Sequence, residues 1–383
     1  MNPDTQHDIS TAPVSPDRES PSVGELMTTW PMKGGFRNLF TQKISGAATA
    51  AVLCLVLLCI LIPVLLIGGR KIYFDFPANS SINESGGGVA GEKGDRPYAD
   101  GVSGNVLLPW ADKVQIIPSN TIDAAHAALA DLESGEIIAS RKADEIIYPA
   151  SMTKVMTLIV VAENLPNKDC LHDTITVSQD IYDEMKRQGS SGIGLEPGEK
   201  LTVESLLYAL MLKSDGIAAC ELARYVAGSV EDFVELMNQK AEKMGLSNTH
   251  FENPTGLFHP NHKSTCREIA SIMAYAMNMS LCRKVLLTQS HNAPCTGADG
   301  KMFHYNLLHN LMVTQFESIT PNQPNNVKIA AGKTGFTDES LYCLVTYAES
   351  ADGHGYVCVT AKGANYRACV QDYITIYNTY VEP

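Results

Sequence analysis

The chain has 383 residues, of which 45% are apolar and 19% are charged, proportions that suit a globular protein with a sizeable core. Its net charge of -13 argues against nucleic acid as a partner, because phosphates demand a basic surface, and against electrostatic docking to anionic lipid. The ten cysteines include no C-x-x-C pair, so a zinc ribbon or a thioredoxin-like site has no support. Their disulfide state stays open, because connectivity cannot be read from spacing.

Three segments precede the part of the chain that is predicted to fold. Residues 1–43 are rich in Pro, Ser, Thr and Asp without apolar periodicity, which predicts a disordered cytoplasmic tail. Residues 44–69 form an uncharged, mostly aliphatic run that is longer than the ~20 residues needed to span a bilayer. The long tail before this run favours a retained transmembrane anchor over a cleaved signal peptide. Residues 70–111 contain three consecutive glycines and scattered polar residues, which predicts a flexible linker.

From Asp112 onward the pattern of apolar and polar residues predicts one folded domain, residues 112–383. Runs of β-branched and apolar residues predict strands at Ala124–Leu132, Glu136–Ser140, Val327–Ala331, Leu341–Glu349 and Tyr356–Ala361. Apolar periodicity predicts helices at Met152–Asn164, Val203–Leu212, Ile217–Ala227, Val230–Met244, Glu268–Met279 and Cys369–Tyr380. Because strands lie at both ends of the domain with helices between them, we expect an α+β fold with one mixed sheet flanked by helices.

The first chemical signal is Ser151-Met152-Thr153-Lys154, which is the only S-x-x-K in the chain. It lies where a helix is expected to begin, so the serine and the lysine would share one helix face. A helix N-terminus also directs free N–H groups toward whatever the serine attacks. A buried lysine can take the serine proton if desolvation or a second cation lowers its pKa. Taken alone, the same residues also fit a solvated helix start.

Two further triplets follow along the chain. Lys333-Thr334-Gly335 comes directly after a predicted strand, so the lysine could be the second cation and the threonine could bind a carboxylate. The glycine would leave room for substrate backbone along the strand edge. Ser214-Asp215-Gly216 lies between two predicted helices, where a second hydroxyl could relay a proton. A helix cap is the alternative interpretation of that triplet.

The order S-x-x-K, then an S-D-N-like triplet, then K-T-G is the signature of penicillin-binding proteins and class A β-lactamases. From about Asp123 to near its C-terminus the chain resembles the low-molecular-mass penicillin-binding proteins that are D-alanyl-D-alanine carboxypeptidases. Further matching stretches are residues 189–192, 195–199, 206–211, 251–257 and 332–338. The resemblance implies a β-lactamase/DD-peptidase-like fold, preceded here by one transmembrane helix.

The resemblance also implies roles for individual residues. Ser151 would form the acyl-enzyme, Lys154 would be the general base and Ser214 would relay the proton. The residues implied in substrate binding are Lys333, Thr334, Gly335, Phe336 and Arg367. Among them, Thr334 and Arg367 would bind the terminal carboxylate, while the N–H groups of Ser151 and Phe336 would form the oxyanion hole. No metal and no cofactor is implied.

The implied substrate is a peptidoglycan stem peptide ending in D-Ala-D-Ala, and β-lactam antibiotics would be covalent inhibitors. The implied location is a bacterial cell membrane, with a single span and the catalytic domain on the extracytoplasmic side. Many relatives carry a β-rich second domain and a C-terminal anchor helix, but only sixteen residues follow Arg367 in this chain. The N-terminal run is therefore expected to replace that anchor.

One departure from the family pattern leaves alternatives open. Gly216 stands where the family has an asparagine that helps to hold the substrate and to orient the lysine, which suggests a weakened enzyme that Gly216→Asn would improve. An inactive relative that binds cell-wall peptide is the alternative from a different class. A β-lactamase is disfavoured, because no Glu-x-x-Leu-Asn follows Ser214. His259, His262 and Cys266 have ligand-like spacing, but a loop without acidic support disfavours a metal site.

Overall fold

The computed structural model describes residues 106–309 and 324–382. The predicted tail and transmembrane run, residues 1–69, lie outside the described residues, as does most of the predicted linker. The end of that linker belongs to the fold: Val106 N donates to Met244 O at 3.1 Å, and Leu108 is buried. The folded part thus begins before the predicted boundary at Asp112. None of the described helices has both the length and the apolar character that a bilayer crossing requires.

The described strands are β1 Trp110–Ile116, β2 His126–Asp131, β3 Glu136–Arg141, β4 Thr174–Thr176, β5 Lys200–Thr202, β6 Ser290–Thr296, β7 Met302–Leu308, β8 Val327–Thr337, β9 Leu341–Ser350 and β10 Gly355–Gly363. The described α-helices are α1 Lys154–Asn164, α2 Gln179–Arg187, α3 Val203–Leu212, α4 Gly216–Ala227, α5 Val230–Lys243, α6 Cys266–Asn278, α7 Ser280–Leu287 and α8 Tyr366–Tyr380. A 3₁₀ turn, Ala150–Thr153, leads into α1.

The strands form two sheets. The larger has six strands in the order β1-β3-β2-β10-β9-β8, antiparallel except for the parallel pair β1 and β3, and β8 lies at its edge. The smaller has the antiparallel order β4-β5-β6-β7. The expectation of one mixed sheet was therefore incomplete. Strands β4 and β5 are only three residues long, and β6 is rich in Ser, His, Asn and Pro, so these three strands lack a run of strand-forming residues.

Helices cover both faces of the larger sheet. Successive side chains of a strand point to opposite faces, and in β9 Cys343 and Val345 join the larger core while Leu344 and Ala348 join the smaller one. The larger core contains α1, a helix that is apolar almost all round and buried from Lys154 to Ala162. The smaller core is closed by α8. The predicted α+β class, with helices flanking a mixed sheet, is confirmed.

Seven of the eight cysteines in the described residues are buried, and among the described cysteines no two form a disulfide. A buried cysteine packs as a small apolar group.

Candidate active site

Ser151 lies in the 3₁₀ turn before α1, and Lys154 is the first residue of that helix. Lys154 Nζ donates to Ser151 Oγ at 3.2 Å and to Thr255 O at 2.6 Å. Lys154 is only 2% exposed, and this burial lowers its pKa to about 8, although the nearby Asp215 carboxylate opposes the shift. A lysine with such a pKa is partly neutral near pH 7 and is within reach of the serine proton.

A second serine–lysine pair lies beside the first. Lys333 is buried on β8, and its Nζ donates to Ser214 Oγ at 3.0 Å and to Thr334 O at 2.9 Å. Burial, followed by the charge of Lys154, lowers the pKa of Lys333 well below its usual value. Ser214 has a φ of +58°, a conformation that costs free energy in a residue other than glycine. The charge of Lys154 thus disfavours the protonated form of Lys333.

Asp215 is fully buried and holds the start of α4. Its Oδ1 accepts from Ala218 N at 2.8 Å and its Oδ2 accepts from Ile193 N at 2.7 Å. Burial raises the pKa of this carboxyl group, while the backbone N–H donors and Lys154 oppose the rise. The two interpretations of the triplet therefore apply to different residues, since Asp215 is the helix cap and Ser214 contacts Lys333. The sequence interpretation missed Asp215 as a charge near Lys154.

The loop before α6 contains a turn whose carbonyl group accepts a hydrogen bond from Lys154. Asn253 Oδ1 accepts from Thr255 N at 3.1 Å and from Gly256 N at 2.7 Å, which fixes the turn whose Thr255 carbonyl receives Lys154. Gly256 has a φ of +80°, and a Cβ there would lie 1.9 Å from Ala150 O, so only glycine fits. The sequence identifies the stretch 251–257 only through its resemblance to the family, and spacing along the chain predicts no role for Thr255.

Strand β8 carries Lys333, Thr334, Gly335 and Phe336 along the sheet edge. A Cβ on Gly335 would lie 2.9 Å from Pro149 O and 3.2 Å from Ser151 N. The room that this glycine provides is therefore occupied by the protein's own nucleophile turn, which corrects the prediction that it makes space for substrate backbone. Thr334 is partly exposed, and the Phe336 side chain is 43% exposed.

Arg367 is the second residue of α8 and is exposed. Within the described ranges it forms no ion pair, and the structure does not bring it into contact with the two serine–lysine pairs. Its neighbour Tyr366 packs against Tyr342 with ring centroids 4.6 Å apart, and Tyr342 packs against Phe336 at 4.5 Å. A row of rings thus connects the start of α8 to β8, while the carboxylate-binding role of Arg367 stays a prediction.

Gly216 is the first residue of α4, and its φ lies outside the left-handed region. A Cβ at this position would lie 1.9 Å from Ser190 Oγ and 3.2 Å from Met185 Sδ. The space beside Gly216 is therefore occupied by the end of a serine side chain, and the expectation that Gly216→Asn would improve the enzyme stays a prediction. An asparagine there would have to displace the Ser190 hydroxyl.

The three residues with ligand-like spacing have different surroundings. His262 Nε2 contacts Thr153 Oγ1 at 2.8 Å, His259 Nδ1 lies 3.4 Å from Glu252 Oε1, and Cys266 is buried near Cys343. Across residues 106–309 and 324–382, no three His, Cys, Asp or Glu side chains are grouped so that they could hold a metal ion.

A cleft of about 1080 Å³ opens beside the nucleophile turn. Its lining includes Met185 from α2, Phe336, and Thr255, whose carbonyl accepts from Lys154, but none of the four residues of the serine–lysine pairs. Its acidic lining residues are Asp180, Glu184, Glu231, Glu252, Asp338 and Glu339. The volume is that of a site for a ligand of peptide size.

Comparison with known proteins agrees with this arrangement. A family model described as D-alanyl-D-alanine carboxypeptidase matches residues 113–360, which include Ser151, Ser214 and Lys333. The chain is 31% identical over 231 residues to the D-alanyl-D-alanine carboxypeptidase DacF of Bacillus subtilis, an alignment that covers 60% of this chain and 55% of that protein. It is also 31% identical over 233 residues to a D-alanyl-D-alanine carboxypeptidase of a Streptomyces strain, covering 59% of this chain and 76% of that protein.

Among solved structures, the crystal structure of a Streptomyces DD-transpeptidase is similar with a TM-score of 0.61 and 28% sequence identity. The superposition covers 68% of this chain and 98% of that chain. The chain spans only about half the length of the Bacillus relative, so the likeness concerns the domain built around the two serine–lysine pairs.

Proposed function

Because the chain belongs to the D-alanyl-D-alanine carboxypeptidase family, we propose that it removes the terminal D-alanine from peptidoglycan stem peptides through an acyl-enzyme on Ser151. One observation carries the proposal: Lys154 Nζ lies 3.2 Å from Ser151 Oγ in a buried setting that lowers the pKa of the lysine to about 8. A serine becomes a good nucleophile only when a base within hydrogen-bond reach removes its proton.

In the proposed first step, neutral Lys154 takes the proton of Ser151 as Oγ attacks the carbonyl carbon of the penultimate D-alanine. The N–H groups of Ser151 and Phe336 stabilise the oxyanion of the tetrahedral intermediate. When the C–N bond breaks, the proton passes through Ser214 to the leaving amine, and terminal D-alanine departs. Water then attacks the ester, and the reverse proton transfers restore Ser151.

The substrate would lie in the cleft beside the nucleophile turn, with its terminal carboxylate near the Thr334 hydroxyl. The partly exposed position of Thr334 at the sheet edge supports this placement. Penicillin would acylate the same serine, and it would be released slowly, because no Glu-x-x-Leu-Asn follows Ser214 to supply the carboxylate base of the second step. Losing a general base typically costs ~10²–10⁴-fold in rate.

Residues 44–69 would anchor the protein in a bacterial cell membrane by a single span, with the catalytic domain on the extracytoplasmic side. The uncharged length of this run supports the anchor. The location of peptidoglycan outside the membrane supports the orientation.

The test is covalent labelling with a fluorescent penicillin, followed by intact-protein mass spectrometry and by release of D-alanine from a diacetyl-Lys-D-Ala-D-Ala peptide. We expect labelling and D-alanine release in the wild type and neither in Ser151→Ala. Ser247→Ala, at an exposed serine, is the matched control and should behave as wild type. An adduct that persists on Ser151→Ala would contradict the assignment of Ser151 as the nucleophile. Rapid multiple turnover of penicillin would favour a β-lactamase.

A further inference from the structure

Two phenylalanines expose their side chains in the cleft beside the nucleophile turn. Phe258 is 41% exposed and Phe336 is 43% exposed. Of the large apolar side chains that are exposed in residues 106–309 and 324–382, only these two line the cleft. Apolar surface that stays exposed within a cleft is typical of a site that binds a ligand with apolar groups.

The segments that carry the two phenylalanines both pack on the nucleophile turn. A Cβ on Gly335, the residue before Phe336, would lie 3.2 Å from Ser151 N. A Cβ on Gly256, two residues before Phe258, would lie 2.9 Å from the same atom. Close backbone packing therefore places each phenylalanine within two residues of a contact with the nucleophile turn.

Each of the two rings also packs against a tyrosine. The Phe258 ring meets Tyr148 edge-on with centroids 5.0 Å apart, and Tyr148 is three residues before Ser151. The Phe336 ring packs against Tyr342 with centroids 4.5 Å apart. Because these ring pairs restrict the side chains before a ligand arrives, little conformational entropy remains to be lost on binding.

The proposed reaction fixes which part of the substrate reaches the cleft. The terminal carboxylate lies at Thr334, and the attacked carbonyl lies at the N–H of Phe336, two residues further along β8. The peptide that precedes D-Ala-D-Ala therefore continues beyond Phe336, away from Thr334. The cleft is on that side, because its lining includes residues 336–339 but not Thr334.

We propose that Phe258 and Phe336 are specificity-determining residues, whose rings bind the aliphatic side chain of the residue that precedes D-Ala-D-Ala. The inference rests on the proposed function and deepens it. A lysine or a similar diamino acid fits this place, because its methylene groups can lie on apolar surface while its amine stays in water. A glycine there would leave both rings in contact with water.

The experiment compares kcat/KM for diacetyl-Lys-D-Ala-D-Ala and for acetyl-Gly-D-Ala-D-Ala. Neither peptide has a charged side chain, so the acidic residues of the cleft do not distinguish them. We expect the wild type to prefer the lysine peptide by at least about tenfold, since even one methylene group in an apolar pocket can change kcat/KM by that factor.

Phe258→Ala and Phe336→Ala should each reduce this preference to about threefold or less. The preference is the decisive quantity, because a disturbed oxyanion hole at position 336 would slow both peptides equally and leave their ratio unchanged. Phe258→Leu and Phe336→Leu keep apolar surface and should retain most of the preference. Since both side chains are exposed, the leucine variants are expected to fold.

Phe303→Ala is the matched control. Phe303 is 37% exposed and packs against Tyr305 with centroids 5.2 Å apart, but it lies on β7 and does not line the cleft. This variant should keep the wild-type preference.

Two results would overturn the inference while the proposed function stands. One is equal kcat/KM for the two peptides in an active wild type, a measurement that needs no variant. The other is a preference that stays at the wild-type value in both alanine variants. If the wild type itself neither binds penicillin nor releases D-alanine, the proposed function falls and the inference falls with it.

Discussion

At the scale of single residues, the chemistry of the site depends on how three buried charges share one region. The charge of Lys154 lowers the pKa of Lys333, and Lys333 is just 2% exposed. The Asp215 carboxylate acts in the opposite direction and raises the pKa of Lys154. Because desolvation is the largest influence on the pKa of both lysines, burial lowers these pKa values more than any single charged neighbour changes them.

The pH dependence of acylation follows from the lysine that must be neutral. Below its pKa of about 8, Lys154 is mostly protonated and cannot accept the serine proton. The rate of penicillin acylation should therefore rise with pH and level off above about pH 8, as expected for a general base. Rapid-mixing experiments with a fluorescent penicillin between about pH 6 and pH 9 would measure this pH dependence of the acylation rate. A rate that is flat or falls over this range would contradict the role of Lys154.

Asp215→Asn tests the influence of the carboxylate on that profile. The carboxylate favours the protonated form of Lys154, so its removal should lower the pKa of the lysine and move the rising limb to lower pH. The asparagine oxygen can still accept from Ala218 N, which preserves the helix cap in part. The unfolding midpoint should be recorded beside the profile, and a limb that moves to higher pH in a folded variant would refute the argument.

The sequence predicted which residues carry the chemistry but could not predict how they are supported. Ser151, Lys154, Ser214 and Lys333 were recognisable from their order and spacing, and the structure brings each serine within 3.2 Å of a lysine. The closeness of Ser190 to Gly216 could not be predicted, because spacing along the chain does not reveal which side chain fills the space beside that glycine.

At the scale of elements, α1 is anchored at both ends by polar contacts. Its first residue is Lys154, and near its other end Glu163 accepts from Lys240 Nζ of α5 at 2.6 Å and from Tyr275 Oη of α6 at 2.5 Å. The Lys240 and Glu163 side chains are only 12% and 16% exposed. These hydrogen bonds link helices α1, α5 and α6.

Lys240→Met should therefore destabilise the domain without changing the acylation of Ser151. Leaving Glu163 without its cation should lower the free energy of unfolding by about 1–3 kcal/mol. Lys301→Met, which removes a partner of the exposed pair with Asp299, is the control and should change it by less than about 0.5 kcal/mol. Urea unfolding measures both, and penicillin labelling at full occupancy should persist in each variant. Equal unfolding energies for the two variants would show that the buried cluster contributes no more than a surface pair.

The elements that were predicted correctly are those with strong apolar patterns. The predicted helix Val203–Leu212 has the same bounds in the structure, and the strands predicted at Leu341–Glu349 and Tyr356–Ala361 differ from β9 and β10 by at most two residues at an end. The strand predicted at Val327–Ala331 was too short, because β8 continues to Thr337 and contains Lys333, Thr334 and Gly335. Helix α2 was missed because, among its nine residues, only Ile181 and Met185 are buried. Two apolar residues on a polar background give too little periodicity to identify a helix.

At the scale of the whole molecule, the proposed anchor predicts where a protease can cut. Protease added to intact, wall-stripped cells should attack the segment before residue 106 and release a soluble fragment that still binds penicillin. Detergent-lysed cells are the control, in which cytoplasmic marker proteins should also be degraded. Full protection of the domain in intact cells would refute the extracytoplasmic orientation.

The position of β10 between β2 and β9 has a consequence for how the protein is made. Ala128 pairs with Val359, about 230 residues further along the chain, so the middle of the large sheet has a high contact order and is expected to form slowly. Until β10 arrives, the buried strand β2 has an unpaired edge, which is a hazard for aggregation. Lys333 likewise reaches Ser214 only once β8 has been synthesised. The second serine–lysine pair therefore cannot form until β8 has emerged, and the period before that is when we expect the nascent chain to depend most on chaperones.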